Sequence, residues 1–271
     1  MKDDVLAGKA RKFAWILVAA MSLGSGGIAV AQKATMPPAN AQSSPEDAKQ
    51  QADLAGALSS KNFRNVGVQV HNGIVTLSGT VDLYGYKDEA YQKIHRKAKN
   101  LAIRNEIQVV GNQEMTDAEL QEKLAQKIAY DRVGYGTTMF NAVTVNVQNG
   151  VVTLGGNVYW PPDMQAAVAD AEYYPGVKDV INNIQVDPVS PFDDQIRIAV
   201  ARAIYAYPAL NQYAIDPAKP IRITVINGHV TLSGVVDSKM DKEMAGIRAN
   251  GVPNVFSVVN NLEVAGEPQK K

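Results

Sequence analysis

The chain has 271 residues, a length compatible with two or three domains. Apolar residues make up 46% and charged residues 20%, which is typical of a globular protein and excludes a disordered or fibrous one. The formal net charge is +0, so the composition gives no sign of a nucleic-acid partner, which normally leaves a basic domain or stripe. Cysteine is absent, which excludes disulfides, cysteine-ligated zinc and thiol nucleophiles.

The first 31 residues predict a secretory signal peptide. Basic residues precede an apolar run from Phe13 to Leu23, and Ala29 and Ala31 are the small residues that a cleavage site requires. Cleavage after Ala31 would leave Gln32 as the N-terminus of a periplasmic protein. The alternative is an uncleaved membrane anchor, because about 20 apolar residues span a bilayer. Residues 32–43, rich in Gln, Ala and Pro, predict a disordered linker.

Three segments further along are near-copies of one another. Each reads Asn-Gly-x-Val-Thr-Leu-x-Gly, starting at Asn72, Asn149 and Asn227, so that successive copies are 77 and 78 residues apart. This period is longer than that of solenoid repeats, and each copy is therefore expected to be a domain. Asn-Gly between two alternating apolar runs indicates a β-hairpin, because both central residues of a type I′ turn need a positive φ.

Helices are predicted on both sides of each hairpin. Signals for the start of a helix precede it, at Ser44, Thr116 and Ser190. A second helix and a closing strand follow, the strands at residues 105–109, 182–186 and 260–264. Each hairpin has one apolar and one polar face, as expected of a sheet that is covered on one side.

The fold class is therefore α+β, with three tandem α-β-β-α-β modules. Each module is predicted to be a three-stranded mixed sheet with two helices on one face. The predicted domain boundaries are 44–111, 115–188 and 190–266.

Copies two and three carry aromatic loop insertions that the first copy lacks. Exposed aromatic side chains on loops favour interfaces, including membrane headgroup regions. The alternative is that they cover a neighbouring module, and both interpretations stay open. The candidate surface, lipid or inter-domain contacts are Tyr130, Tyr135, Met139, Phe140, Trp160, Tyr207 and Tyr213.

Catalytic patterns are missing from the sequence. The three histidines, His71, His95 and His229, lie beside hairpin turns or on a polar helix, where a solvated side chain is the simplest interpretation. No pair of histidines has metal-ligand spacing, and no glycine-rich loop could cradle a phosphate. The sequence predicts a protein that is not an enzyme and has no metal, cofactor or nucleic-acid partner.

The hairpin motif and the motif that closes each copy resemble the BON domain of bacterial osmotically induced and nodulation-related proteins. The closing motif, Gly-Val-x-x-Val-x-Asn-x-Ile-x-Val, is fullest from Gly176 to Val186, and only its second half survives at Asn105 to Val109. The resemblance implies a non-catalytic periplasmic or envelope protein that binds phospholipid surfaces, often in osmotic or envelope stress. The alternative function is a protein–protein interaction scaffold in the cell envelope.

Overall fold

The structure is a computed structural model that describes residues 44–111, 115–131, 138–217 and 219–266. The predicted signal peptide, the predicted linker and Tyr135 lie outside the described residues. All described residues belong to one compact unit.

Three modules follow one another with the order α-β-β-α-β, which confirms the predicted fold class. The first contains α1 (Pro45–Ala55), β1 (Val66–His71), β2 (Ile74–Val81), α2 (Tyr84–Lys97), β3 (Ala102–Asn105) and β4 (Gln108–Val109). The second contains α3 (Asp117–Tyr130), β5 (Ala142–Gln148), β6 (Val151–Val158), α4 (Pro161–Glu172), β7 (Asp179–Asn182) and β8 (Gln185–Val186). The third contains α5 (Pro191–Tyr205), β9 (Arg222–Ile226), β10 (His229–Val236), α6 (Lys239–Asn250) and β11 (Ser257–Val264). Short 3-10 turns cover Gly56–Leu58, Lys61–Phe63, Thr138–Phe140 and Asn211–Ala214.

The second strand of each hairpin is the centre of its sheet. It pairs antiparallel with the strand before it and parallel with the last strand of the module. The turn residues Asn72, Asn149 and Asn227 have φ values of 49°, 54° and 52°, and the glycines after them are also at positive φ. These are the backbone conformations that the Asn-Gly pairs predict.

The last strand begins earlier than predicted, at Ala102, Asp179 and Ser257. In the first two modules it is divided into two short segments. An asparagine inside the strand accepts the N–H of the second residue after it, as Asn260 does from Leu262 at 3.3 Å. The amide of Asn260 also donates to the carbonyl of Lys242 on α6, at 2.7 Å. The asparagine of the closing motif therefore ties the last strand to the second helix.

An aspartate at the start of each first helix holds the hairpin turn of its module. Asp193 accepts the N–H groups of Asn227 and Gly228 at 2.9 and 2.8 Å. Asp117 accepts the equivalent pair in the second module at 2.6 and 3.0 Å. Asp47 accepts a backbone hydrogen bond from Asn72 in the hairpin turn of the first module. In the sequence these residues are only acidic groups near a helix start, where they complement the helix dipole.

Each module has its own core between its sheet and its two helices. In the first module the inward faces of β1 and β2 meet side chains from α1 and α2, and all are buried. The outward face carries polar residues such as Gln69 and Thr76. Both helices therefore cover the same face of the sheet, as predicted.

The first and second modules meet through α2 and α4. The ring of Tyr86 lies edge-on to that of Tyr173, with centroids 5.6 Å apart. Tyr84, from the start of α2, packs against the core of the second module. Gly85 lies directly against Tyr173, since a Cβ added there would come within 2.7 Å of two ring atoms.

We expect Gly85→Ala to destabilise this contact although alanine is the better helix former. The added methyl group overpacks the contact with Tyr173 and should cost about 1–3 kcal/mol in the free energy of unfolding, measured by urea denaturation. The matched control is Gly56→Ala, because no atom lies within 4 Å of a Cβ there and the φ of −59° suits alanine. The control should be neutral or slightly stabilising. Equal stability of the two variants would contradict the prediction.

Candidate functional site

The structure separates the six aromatic and methionine candidates that it describes into groups, and Tyr135 lies outside the described residues. Tyr213 is 3% exposed and belongs to the core of the third module. Its hydroxyl donates to Asp241 Oδ2 at 2.9 Å and accepts the N–H of Asp237 at 2.8 Å. Tyr207 packs against the same core, with the Arg248 guanidinium 5.7 Å from its ring centroid.

Two candidates from the second module pack against the third. Met139 and Phe140 are partly buried against the core of the third module. Tyr130 and Trp160 are each 51% exposed. The Tyr130 hydroxyl donates to Asp216 of the third module at 3.2 Å, and the Trp160 ring lies edge-on to that of Tyr159, with centroids 5.3 Å apart.

A buried ion pair joins the second and third modules. Arg197 of α5 donates to Asp187 Oδ2 at 3.2 Å, and both side chains are 1% exposed. The guanidinium carbon lies 4.5 Å from the ring centroid of Tyr159, a distance typical of a cation–π contact. Burial raises the pKa of Asp187, although hydrogen bonds from Asn157 and the charge of Arg197 act in the opposite direction.

Arg197 occupies a position that has a different role in the other modules. Gln51 and Gln121 each lie four residues after the aspartate that holds the hairpin turn, as Arg197 does. Their Oε1 atoms accept the N–H of Val70 and Val147 in the first hairpin strand, at 3.1 and 3.2 Å. The arginine reaches the same strand position, but its Nη2 donates to the carbonyl there and also to Asp187 of the second module. Its Nη1 donates to Asp194 of its own helix. Sequence analysis missed Arg197, although an alignment of the three helices would have marked it as the odd member.

A second charged cluster, formed by Lys127, Asp131 and Asp170, links α3 to α4. The Lys127 amine pairs with both carboxylates, the one on Asp170 at 3.3 Å. Burial, opposed by Lys127 and assisted by the neighbouring Asp131, raises the pKa of Asp170 to about 6. A hydrogen bond from Lys127 lowers the pKa of Asp131.

This cluster makes stability depend on pH. The pKa of Asp170 is higher in the folded state than its ordinary value of 3.8, so its contribution is fully present below pH 4 and is lost as the pH rises through 6. Asp170→Asn should therefore raise the free energy of unfolding at pH 7.5 by about 1–3 kcal/mol, at 1.36 kcal/mol per pKa unit, and change it little at pH 4. Asp131→Asn is the control and should instead lower the free energy of unfolding at pH 7.5. It removes a carboxylate whose pKa is lowered in the folded state. Denaturant titrations at the two pH values test this, and a loss of stability from Asp170→Asn at pH 7.5 would contradict it.

Charge is distributed unevenly among the modules. Residues 44–111 contain nine basic and seven acidic residues, whereas residues 115–188 contain four basic and nine acidic ones. The excess of the first module is concentrated at the end of α2, where His95, Arg96, Lys97 and Lys99 are all exposed. We call these four residues the basic end of α2. None of them forms an ion pair with a carboxylate within the part of the chain that the structure describes.

The comparison with protein families agrees with the repeated fold. The family model of the BON domain matches residues 46–111, 116–188 and 193–266. The chain belongs to the BON domain family. No curated protein matches it. Two solved structures of CdsD, a structural protein of the type III secretion system of Chlamydia trachomatis, match at 13% identity over 79% of this chain and 90% or 96% of theirs, with TM-scores of 0.21 and 0.22. At such TM-scores the similarity supports no conclusion about function.

The histidines of this BON protein do not form a catalytic arrangement with their described neighbours. His229 Nδ1 lies 2.8 Å from Ser257 Oγ, but both groups are at the surface and no carboxylate among the described residues orients the imidazole. His71 contacts the side chain of Asn72, and His95 stacks on Tyr91. The described residues contain no cluster of three or more His, Asp or Glu side chains placed to hold a metal. They also contain no helix long and apolar enough to cross a bilayer.

Proposed function

We propose that this BON protein works in the cell envelope by binding anionic phospholipid surfaces through the basic end of α2. The observation that carries the proposal is the group of exposed basic side chains at Arg96, Lys97 and Lys99, which form no ion pair with any carboxylate that the structure describes. The class of ligand is inferred from the resemblance to BON domains, and the position of the binding surface is inferred from the charge distribution. Trp160, half exposed, stays a prediction for an additional contact at the headgroup level.

Electrostatics supports a weak, reversible and oriented interaction. A basic residue near an anionic bilayer contributes about 1 kcal/mol, so that three of them give a weak attraction of about 3 kcal/mol without insertion. The attraction acts over a Debye length of about 10 Å at 0.1 M salt and is therefore sensitive to ionic strength. The acidic second module is repelled by the same surface, which favours docking through the first module.

Flotation with vesicles tests the proposal. The chain from Gln32 to Lys271, which keeps the whole compact unit, is mixed with vesicles of phosphatidylcholine alone or with phosphatidylglycerol added. We expect flotation only with phosphatidylglycerol, and a loss of flotation at high salt. Equal flotation with both vesicles, or none at low salt, would overturn the proposal.

Export is part of the proposed function. Cleavage after Ala31 should yield a mature chain that begins with Gln32, as intact mass measurement on the protein from a periplasmic fraction would show. A chain that retains its first 31 residues and remains with the membrane would contradict cleavage and favour the anchor.

An envelope protein partner is the second candidate function, and one surface favours it. Phe192 and Phe256 of the third module are 44% and 68% exposed, with ring centroids 6.4 Å apart. Adjacent exposed aromatic rings of this kind are frequent in protein interfaces.

The absence of cysteine makes this second candidate easy to test. A single Phe256→Cys variant carries one cross-linkable thiol, and Met240→Cys, at another exposed position, is the matched control. A distinct protein adduct in cells through residue 256 but not through residue 240 would support a partner. Identical adduct patterns from both variants would argue against it.

A further inference from the structure

A cavity of about 280 Å³ lies in the second module where the third module meets it. Its walls come from α3, the edge strand β5 and α4, and Arg222 from β9 of the third module closes one side. The apolar part of the wall consists of Ala125, Ile128, Ala129, Val143, Val145 and Ala167.

In the third module, the ring of Tyr213 fills the position that corresponds to this cavity. There, the Tyr213 hydroxyl bridges the third residue of the second helix, Asp241, and the N–H of Asp237, directly after the hairpin. Its ring occupies the core between them.

In the second module, a smaller side chain makes the same two bonds. Asn141 Nδ2 donates to Asp163 Oδ2 at 2.9 Å, and Asn141 Oδ1 accepts the N–H of Tyr159 at 3.0 Å. Asp163 and Tyr159 are the positional equivalents of the two partners of Tyr213. The bridge is therefore complete, but no side chain among the described residues takes the place of the tyrosine ring. The cavity borders this bridge, as Asn141 and Asp163 both line it.

Arg222 adds an unsatisfied donor to this space. Its Nε is buried and has no hydrogen-bond partner, and the guanidinium forms no ion pair within the described ranges. The other charged lining groups have partners of their own, since Glu122 accepts from Gln126 and Asp163 from Asn141. A buried N–H without an acceptor is costly, so an anionic oxygen beside Arg222 Nε would be favourable.

We propose that this cavity binds a small carboxylate with a ring-sized apolar body. The carboxylate lies on Arg222, and the ring lies against the alanine, valine and isoleucine wall in the place that Tyr213 fills in the third module. The space is sufficient, because an apolar protein cavity of about 150 Å³ accommodates benzene. The proposal is independent of lipid binding, which involves another module.

Calorimetric titration of residues 32–271 with benzoate tests the proposal. We expect a dissociation constant on the order of 0.1–1 mM, the range that so few ligand atoms allow, and at least tenfold weaker binding of the neutral benzyl alcohol. Arg222→Met, which keeps the length of the side chain without its charge, should weaken benzoate binding about tenfold. Arg202→Met, at an exposed arginine of the same module, should leave it unchanged. Ala167→Leu narrows the cavity without touching the arginine and should weaken benzoate and benzyl alcohol alike.

Three results would overturn the proposal. The first is no benzoate binding at millimolar concentration. The second is binding that Arg222→Met and Ala167→Leu both leave unchanged. The third is binding that appears only in Tyr135→Ala, since the chain would then be filling the cavity with its own ring.

Discussion

Arg197→Ala is expected to lower the free energy of unfolding by about 3–5 kcal/mol, the largest effect of any single substitution considered for this protein. The variant leaves the carboxylate of Asp187 buried without its cation, and removing one partner of a buried ion pair costs this much. It also removes the donor to the Val225 carbonyl and the contact with the Tyr159 ring. Because the lost contacts with Asp187 and the Tyr159 ring join the second and third modules, the unfolding transition should also become less cooperative, as calorimetry would show.

Two comparisons make this test specific. Arg202→Ala, on the exposed face of the same helix, should change stability by less than about 0.5 kcal/mol. Arg197→Met combined with Asp187→Leu should recover most of the loss, because apolar side chains of similar size can replace a buried ion pair. A double variant as unstable as Arg197→Ala would mean that the pair itself is not the cause.

Neutralising the basic end of α2 is expected to weaken binding to phosphatidylglycerol vesicles about 100-fold. The change is Arg96→Gln, Lys97→Gln and Lys99→Gln together, and each lost charge removes up to about 1 kcal/mol of attraction. The side chains are exposed, so stability should change little. Vesicle sedimentation over a range of lipid concentrations measures the effect.

The matched control removes the same charge elsewhere. Lys123→Gln, Arg202→Gln and Lys219→Gln replace three exposed basic residues of the other two modules. This control should bind nearly as well as the original chain. If both triple variants lose binding equally, net charge rather than the basic end of α2 governs the interaction.

The module fold was predictable from sequence because its signals are local and repeated. Asn-Gly at Asn72, Asn149 and Asn227 determines the turn through its φ values, and alternation on either side determines which face is buried. The start of the last strand was placed too late. Its pairing with the central strand is formed across a whole helix, so the sequence near Ala102, Asp179 or Ser257 carries little of the information.

The surfaces were harder to predict, for physical reasons. Aromatic residues in a loop can point outward like Trp160 or close a core like Tyr213, and only the tertiary structure distinguishes them. The basic end of α2 is hidden in a total charge of zero, because the acidic second module compensates for it. In the sequence, Arg197 resembles an ordinary surface arginine. Its partner Asp187 belongs to the preceding module, and only the tertiary structure brings the two together.

The pairing of Arg197 with Asp187 also bears on where the chain can be divided. The family match for the third copy begins at residue 193, beyond Asp187, so a fragment cut at that boundary would keep Arg197 and its partner Asp194 but lose the buried carboxylate of Asp187. In two copies the side chain at this position bonds to the first hairpin strand of its own module, whereas in the third it also bonds to the module before it. The third copy thus has a complete fold of its own, but its arginine makes all of its bonds only in a chain where a second module precedes it.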